Sequence, residues 1–240
     1  TGRASKQGGV SLNYFDIDAH PPTEINMRPG FFQKVSELGV SHICGTFAVK
    51  ETPDEKTAAL LNKAAKRLSV TEARYLPAFW GFPGLLEKSG TAKMLYVDAG
   101  MGQGRDEVLR YAEQSKIPVF LCHETPESTR EILEKFPKAS VIAGGQGASG
   151  FEPLQTVSML NAFPNFYLNL SAGIWTVNYV LHELIKKMPV RQLLYGSGFP
   201  YTNPASRLAA VKWELRDTDV SSCEHVFYQN ARALLGEDVL

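Results

Sequence analysis

The tightest constraint on this chain is a rhythm. Short apolar runs rich in β-branched and aromatic residues return eight times, as NYFDIDAH, SHICGTFAV, RYLPAFWGF, AKMLYVDAG, PVFLCHE, ASVIAGG, NFYLNLSA and QLLYGSG. Between most of them lie stretches with helical periodicity, namely PDEKTAALLNKAAKRL, RDEVLRYAEQSK, STREILEKF, WTVNYVLHELIKKM and ASRLAAVKWELRD. The third interval, PGLLEKSGT, is short and glycine-broken, and it predicts no full crossover helix. Most of the runs are apolar on both faces, as strands of a parallel sheet covered by helices must be, whereas a half-solvated antiparallel sheet alternates more cleanly. Eight such repeats predict an α/β fold of the closed (β/α)8 type, a TIM barrel, in preference to an open doubly wound sheet.

With 240 residues, 44% of them hydrophobic, and nothing that reads as a linker, the chain suits one such domain. That domain is assigned to residues 10–240. The opening TGRASKQGG has neither an apolar core segment nor a starting methionine, and it is set aside as a frayed or vector-derived end with no targeting signal. Lysines and arginines number 25 and aspartates and glutamates 25, so no net field draws the protein toward nucleic acid or an anionic membrane. No apolar run approaches the ~18–20 residues that span a bilayer. Cys44, Cys122 and Cys223 are an odd set without CxxC spacing, which suits free thiols in a reducing cytoplasm. The expected partner is a small molecule. On oligomeric state the only guide is the general frequency of symmetric homodimers.

In a barrel of this kind chemistry belongs to the carboxyl ends of the strands. Period-two geometry on the first strand sets Asp16, Asp18 and His20 on one face and Phe15, Ile17 and Ala19 on the other, and the polar set is expected to point inward. Two carboxylates and an imidazole inside a barrel are costly unless they bond to each other or to an ion, so this stretch reads equally as a satisfied buried network and as part of a site. The fifth strand ends in His123, which by the same alternation shares its face with Val119 and Leu121 and is expected at the mouth. Asp98, ending the fourth strand, and Glu124 are carboxylates that fit either a site or a helix cap. The glycines of AGGQGASG (Gly145, Gly147, Gly150) match G-x-G-x-x-G, but no acidic residue follows on the next strand to hold a ribose. A backbone anion cradle and a plain loop remain the two readings. His42, His182 and His225 read as structural, and no Ser-His-Asp order or nucleophile elbow accompanies Ser197.

Taken together these tips resemble the amidohydrolase-related TIM-barrel family of metal-dependent hydrolases and decarboxylases. The carrying residues are Ile17-Asp18-Ala19-His20-Pro21-Pro22, His123, Gly145-Gln146-Gly147, Gly196-Ser197-Gly198-Phe199-Pro200 and Asn230-Ala231-Arg232-Ala233-Leu234, in the family's order over nearly the whole chain. The resemblance implies a divalent metal, zinc, at the barrel mouth, with His20 and His123 at ligand positions and Asp18 in support. It also implies a small cyclic or aromatic acid as substrate. Three ligand positions are replaced, by Pro22, Gly145 and Gly198, and the last also removes the family's proton acceptor. The site is therefore expected to be degenerate and metal-poor. The residues assigned to it are Asp98, His123 and Gln146 for catalysis, His20, His123 and Asp18 for any remaining ion, and Trp80, Trp175, Phe199 and Tyr201 for the rim of a widened pocket. The alternative is a catalytically inactive relative that binds a small molecule or accompanies an active subunit.

Overall fold

A computed structural model of the chain describes residues 13–102, 104–145 and 150–236. The eight expected strands form: β1 (Tyr14–Asp16), β2 (Val40–Gly45), β3 (Tyr75–Trp80), β4 (Met94–Asp98), β5 (Val119–Cys122), β6 (Val141–Ala143), β7 (Phe166–Asn169) and β8 (Leu193–Leu194). They pair in chain order, each parallel to the next. β8 is too short to close the ring by its own ladder. Closure falls to the turn after it: the Ile17 amide donates to the Tyr195 carbonyl at 3.1 Å, that of Gly198 to Asp18 at 2.8 Å and that of His20 to Phe199 at 3.0 Å. The fold is thus the (β/α)8 barrel.

Helices cover the outside: α1 (Arg28–Glu37), α2 (Glu55–Thr71), α3 (Gly104–Ser115), α4 (Pro126–Lys135), α5 (Pro153–Ala162), α6 (Val180–Leu184), α7 (Pro204–Glu214), α8 (Val220–Glu224) and α9 (Asn230–Leu234). Starts of α2, α4 and α7 are fixed by side chains of Asp54, Thr125 and Asn203, which accept from backbone amides one turn on. Between β3 and β4 stands only a 3-10 segment, Pro83–Lys88, in keeping with the short interval there. The periodic stretch WTVNYVLHELIKKM does not form one helix. Asn178 and Tyr179 take left-handed backbone conformations, and helix resumes only at α6, followed by a 3-10 turn over Ile185–Lys187.

Side chains sort into two layers. Outward residues such as Ile43, Phe79, Val97, Leu121, Leu168 and Leu193 pack in one cluster with Val108, Leu109, Ile132, Leu160 and Val211 of the helices. Ile17, Cys44, Ala78, Tyr96, Ile142 and Leu194 belong to a second cluster that fills the barrel. This sorting corrects the expectation for the first strand. Asp16 pairs beside the outward Ile43, while Phe15 and Ile17 join the inner cluster. The regular ladder ends at Asp16, and the bend that follows lets Asp18 and His20 turn into the mouth.

Candidate active site

At the carboxyl end of the strands lies a cavity of about 260 Å³, lined by Asp18 and His20 after β1, by the 46–52 loop after β2, and by Trp80, Tyr96, Phe120, Cys122, His123 and Tyr201. Asp18 lies on its floor. It accepts from Ser171 Oγ at 2.6 Å and Asn169 Nδ2 at 2.9 Å through Oδ2, and pairs with His20 Nε2 at 3.1 Å through Oδ1. Burial pushes this carboxyl up, but the His20 contact and the two neutral donors outweigh burial and hold it below the usual carboxylate range. The other nitrogen of His20, Nδ1, meets the Thr46 carbonyl at 3.1 Å. Desolvation pulls the imidazole down, while the Asp18 hydrogen bond and charge raise it above its ordinary value. With both ring nitrogens facing oxygens that only accept, the cationic imidazolium satisfies the pair.

Across the cavity stands a second pair. His123 Nδ1 lies 2.6 Å from Asp98 Oδ2, and that carboxylate also accepts from Thr52 Oγ1 at 2.7 Å and, through Oδ1, from the Gly100 amide at 2.8 Å. Burial raises the Asp98 carboxyl, and the bonds from Thr52, His123 and Gly100 overcome it, so the group stays ionised below its usual range. Alternation alone misplaces His123. Phe120 and Cys122 are the residues of β5 on the cavity, and Val119 and Leu121 lie under the helices. His123 comes one step later and belongs to the outward set. It reaches the mouth because its backbone turns left-handed, at φ 58°.

The other expected site residues divide. Trp80 and Tyr201 line the cavity, and the Tyr201 hydroxyl donates to the Val49 carbonyl at 2.6 Å, tying the turn after β8 to the loop after β2 across the opening. Trp175 does not reach the mouth: it is fully buried in the outer core, where the broken helix tucks its indole. Phe199 also points away, with its ring 4.8 Å from that of Phe31 on α1, because the strand-closing bonds turn its side chain toward the helix layer. Glu124 is committed to Arg105 of α3 at 2.8 Å. Gln146 and Gly147 lie outside the described residues. Thr46, Tyr96, Phe120, Asn169 and Ser171 belong to the site without having been singled out. Tyr96 and Asn169 were accessible to period-two reasoning, since each lies on the inward face of its strand.

At Gly145 the expected widening does not occur. A Cβ added at Gly145 falls 2.7 Å from Asn169 Nδ2 and 2.9 Å from the Phe120 ring, so neighbouring side chains have closed over the place. Gly198 holds φ 68°, a conformation side-chain residues rarely adopt. Among the described residues no group of three or more His, Cys, Asp or Glu is arranged to hold a metal ion. A catalytic zinc takes three protein ligands. Here the Asp18 oxygens are taken up by three donors, and both nitrogens of His20 are engaged. The donor set present does not fit the ion.

The sequence from residue 41 to 236 matches the family model described as Amidohydrolase. The chain belongs to the amidohydrolase family. Comparison with curated proteins finds no match. Among solved structures, this amidohydrolase-family chain is similar to an uncharacterized TIM-barrel protein from Bordetella bronchiseptica (14% identity, TM-score 0.72, covering 94% of this chain and 100% of that one). It is also similar to a probable 2-pyrone-4,6-dicarboxylic acid hydrolase from Acinetobacter baumannii with citric acid bound (16%, 0.69, 94% and 100%). A third is a dihydroxybenzoic acid decarboxylase from Polaromonas with bound manganese and the inhibitor 2-nitroresorcinol (13%, 0.69, 95% and 98%). At such identities the likeness is one of fold. No helix among the described residues is long and apolar enough to cross a membrane.

Proposed function

We propose that the protein is a hydrolase-like member of the family that acts on a small cyclic or aromatic acid at the barrel mouth through metal-independent acid–base chemistry. One observation carries the reading. The Asp98–His123 pair, at 2.6 Å, leaves the imidazole on the cavity wall with Nε2 free of protein partners among the described residues. In this role His123 takes a proton from a water or substrate hydroxyl in the cavity. Asp98 acts as a positioning residue: it fixes the ring tautomer and steadies the imidazolium that forms. Trp80 and Tyr201 supply apolar walls. Substrate class follows from the aromatic lining and from the acids named for the pyrone hydrolase and the decarboxylase. The three free cysteines support a reducing, cytoplasmic setting.

The competing reading, an inactive small-molecule binder, draws on the loss of the family's proton acceptor at Gly198. A panel of aryl carboxylates and cyclic esters of carboxylic acids separates the two. Turnover that falls by about two to four orders of magnitude in His123→Gln supports the enzyme, in line with the usual contribution of a general base. Binding of panel members without turnover by the wild-type protein would establish the binder.

A further inference from the structure

Three hydrogen-bonding groups just behind the cavity wall have nothing to bond. Thr46 Oγ1, Trp80 Nε1 and Tyr96 Oη are sealed from solvent, that of the cavity included, and find no partner among the described residues, although all three residues contribute to the lining. They come from three adjacent strands, Thr46 just after β2, Trp80 at the end of β3 and Tyr96 midway along β4, and the Trp80 and Tyr96 rings lie 5.5 Å apart. Such groups are costly to leave unmade, and buried polar atoms in folded proteins are nearly always paired. All three can donate, and an indole N–H can do nothing else, so what satisfies them together must present acceptors. The Phe120 ring stacks on Tyr96 at 4.8 Å beside them, and Phe47 also lines the space, so a flat apolar body can follow the acceptor group in. The Asp18 carboxylate there is balanced by the His20 imidazolium, and the Asp98 carboxylate is held by His123, Thr52 and the Gly100 amide.

We propose that Thr46, Trp80 and Tyr96 form a carboxylate receptor built from three neutral donors. The ligand is an aromatic monocarboxylate, its two oxygens toward the three donors and its ring against Phe120. Small rotations of the Thr46 and Tyr96 hydroxyls and of the Trp80 indole open the donors to the guest. The inference rests on the cavity being the binding site, as argued above, and adds which residues choose the ligand.

Calorimetry on the full chain tests it, with benzoate as probe, benzyl alcohol as its neutral counterpart, and inorganic phosphate. Benzoate is expected to bind well above benzyl alcohol, and Tyr96→Phe and Thr46→Val are each expected to weaken benzoate about tenfold or more and benzyl alcohol, whose single oxygen accepts fewer bonds, by a smaller factor. A second readout needs no ligand: removing a buried unpartnered hydroxyl should raise the ligand-free melting temperature in both variants. If wild type and variants bind benzoate alike, the receptor is overturned and the cavity reading stands. If the wild-type protein binds no aromatic acid, the cavity reading fails with it. Phosphate binding more tightly than benzoate overturns the carboxylate assignment. A lowered melting temperature in both variants overturns the premise that the hydroxyls lack partners.

Discussion

Burial holds the Asp16 carboxyl up at about 6, against which the Ser197 hydroxyl and the amides of Ser197 and Asp18, both donating to Oδ1, pull down only in part. Its Oδ2 has no partner among the described residues, and Asp18 adds a like charge. Because the folded value lies above the unfolded one, Asp16 stabilises the fold most below about pH 4, and that contribution is lost as pH rises through 6. The cost of ionising it in place is of order 2–3 kcal/mol. Asp16→Asn keeps an oxygen for the two amides and cannot ionise, so urea midpoints are expected to fall less from pH 4 to 7 than in the wild type. An unaltered decline would show that Asp16 is not its source. The same residue marks a limit of pattern reading. Alternation assigned Asp16, Asp18 and His20 to one inward line, but the ladder ends at Asp16, and a period of two holds only while the chain remains a strand. His123 repeats the lesson, reaching the mouth by a left-handed turn that no residue type announced.

At the scale of elements, the strand ends on β6 and β8 show why lost ligands cannot simply be restored. Asn169, on the inward face of β7, and Ser171 just after it bond Asp18, while Phe120 from β5 fills the place beside Gly145. The double variant Gly145→His, Gly198→Asp is therefore expected to purify without stoichiometric zinc and to melt below the wild type. Overpacking typically costs about 1–3 kcal/mol, and the Gly198 backbone adds strain. Stoichiometric metal by elemental analysis would show that the ligand places had stayed open. Which elements exist was readable, because eight apolar runs and most intervening helices carried strong periodicity. Where they break was not. The stretch from Trp175 to Met188 has uninterrupted helical spacing, yet it bends at Asn178 and Tyr179, and that bend buries Trp175 instead of presenting it at the rim.

For the molecule as a whole, the barrel is held by apolar packing in two layers and by β1–β8 closure through the turn, with Asp18 at the seam satisfied by neutral donors and His20. Nothing in that arrangement calls for an ion. Melting temperatures are expected to be indifferent to chelator and to added Zn²⁺, since only a ligand that binds the folded state raises them by mass action. A dose-dependent rise abolished by replacing His20 and His123 with alanine would overturn this. The barrel was legible from rhythm alone, and the candidate site from the resemblance at His20 and His123. Trp80 was legible as a wall residue but not as a donor, and Thr46 not at all, because a donor without a partner is visible only once every neighbour has been placed.

The bond from Tyr201 to the Val49 carbonyl joins two loops that line the cavity. A link that a guest has to pass slows arrival and departure in equal measure and leaves the equilibrium untouched. Tyr201→Phe should accordingly quicken exchange of a bound acid, seen as broadened ligand resonances, at nearly constant Kd. Residence time and affinity in this protein are then set by different residues, the first at the threshold and the second in the depth of the chamber.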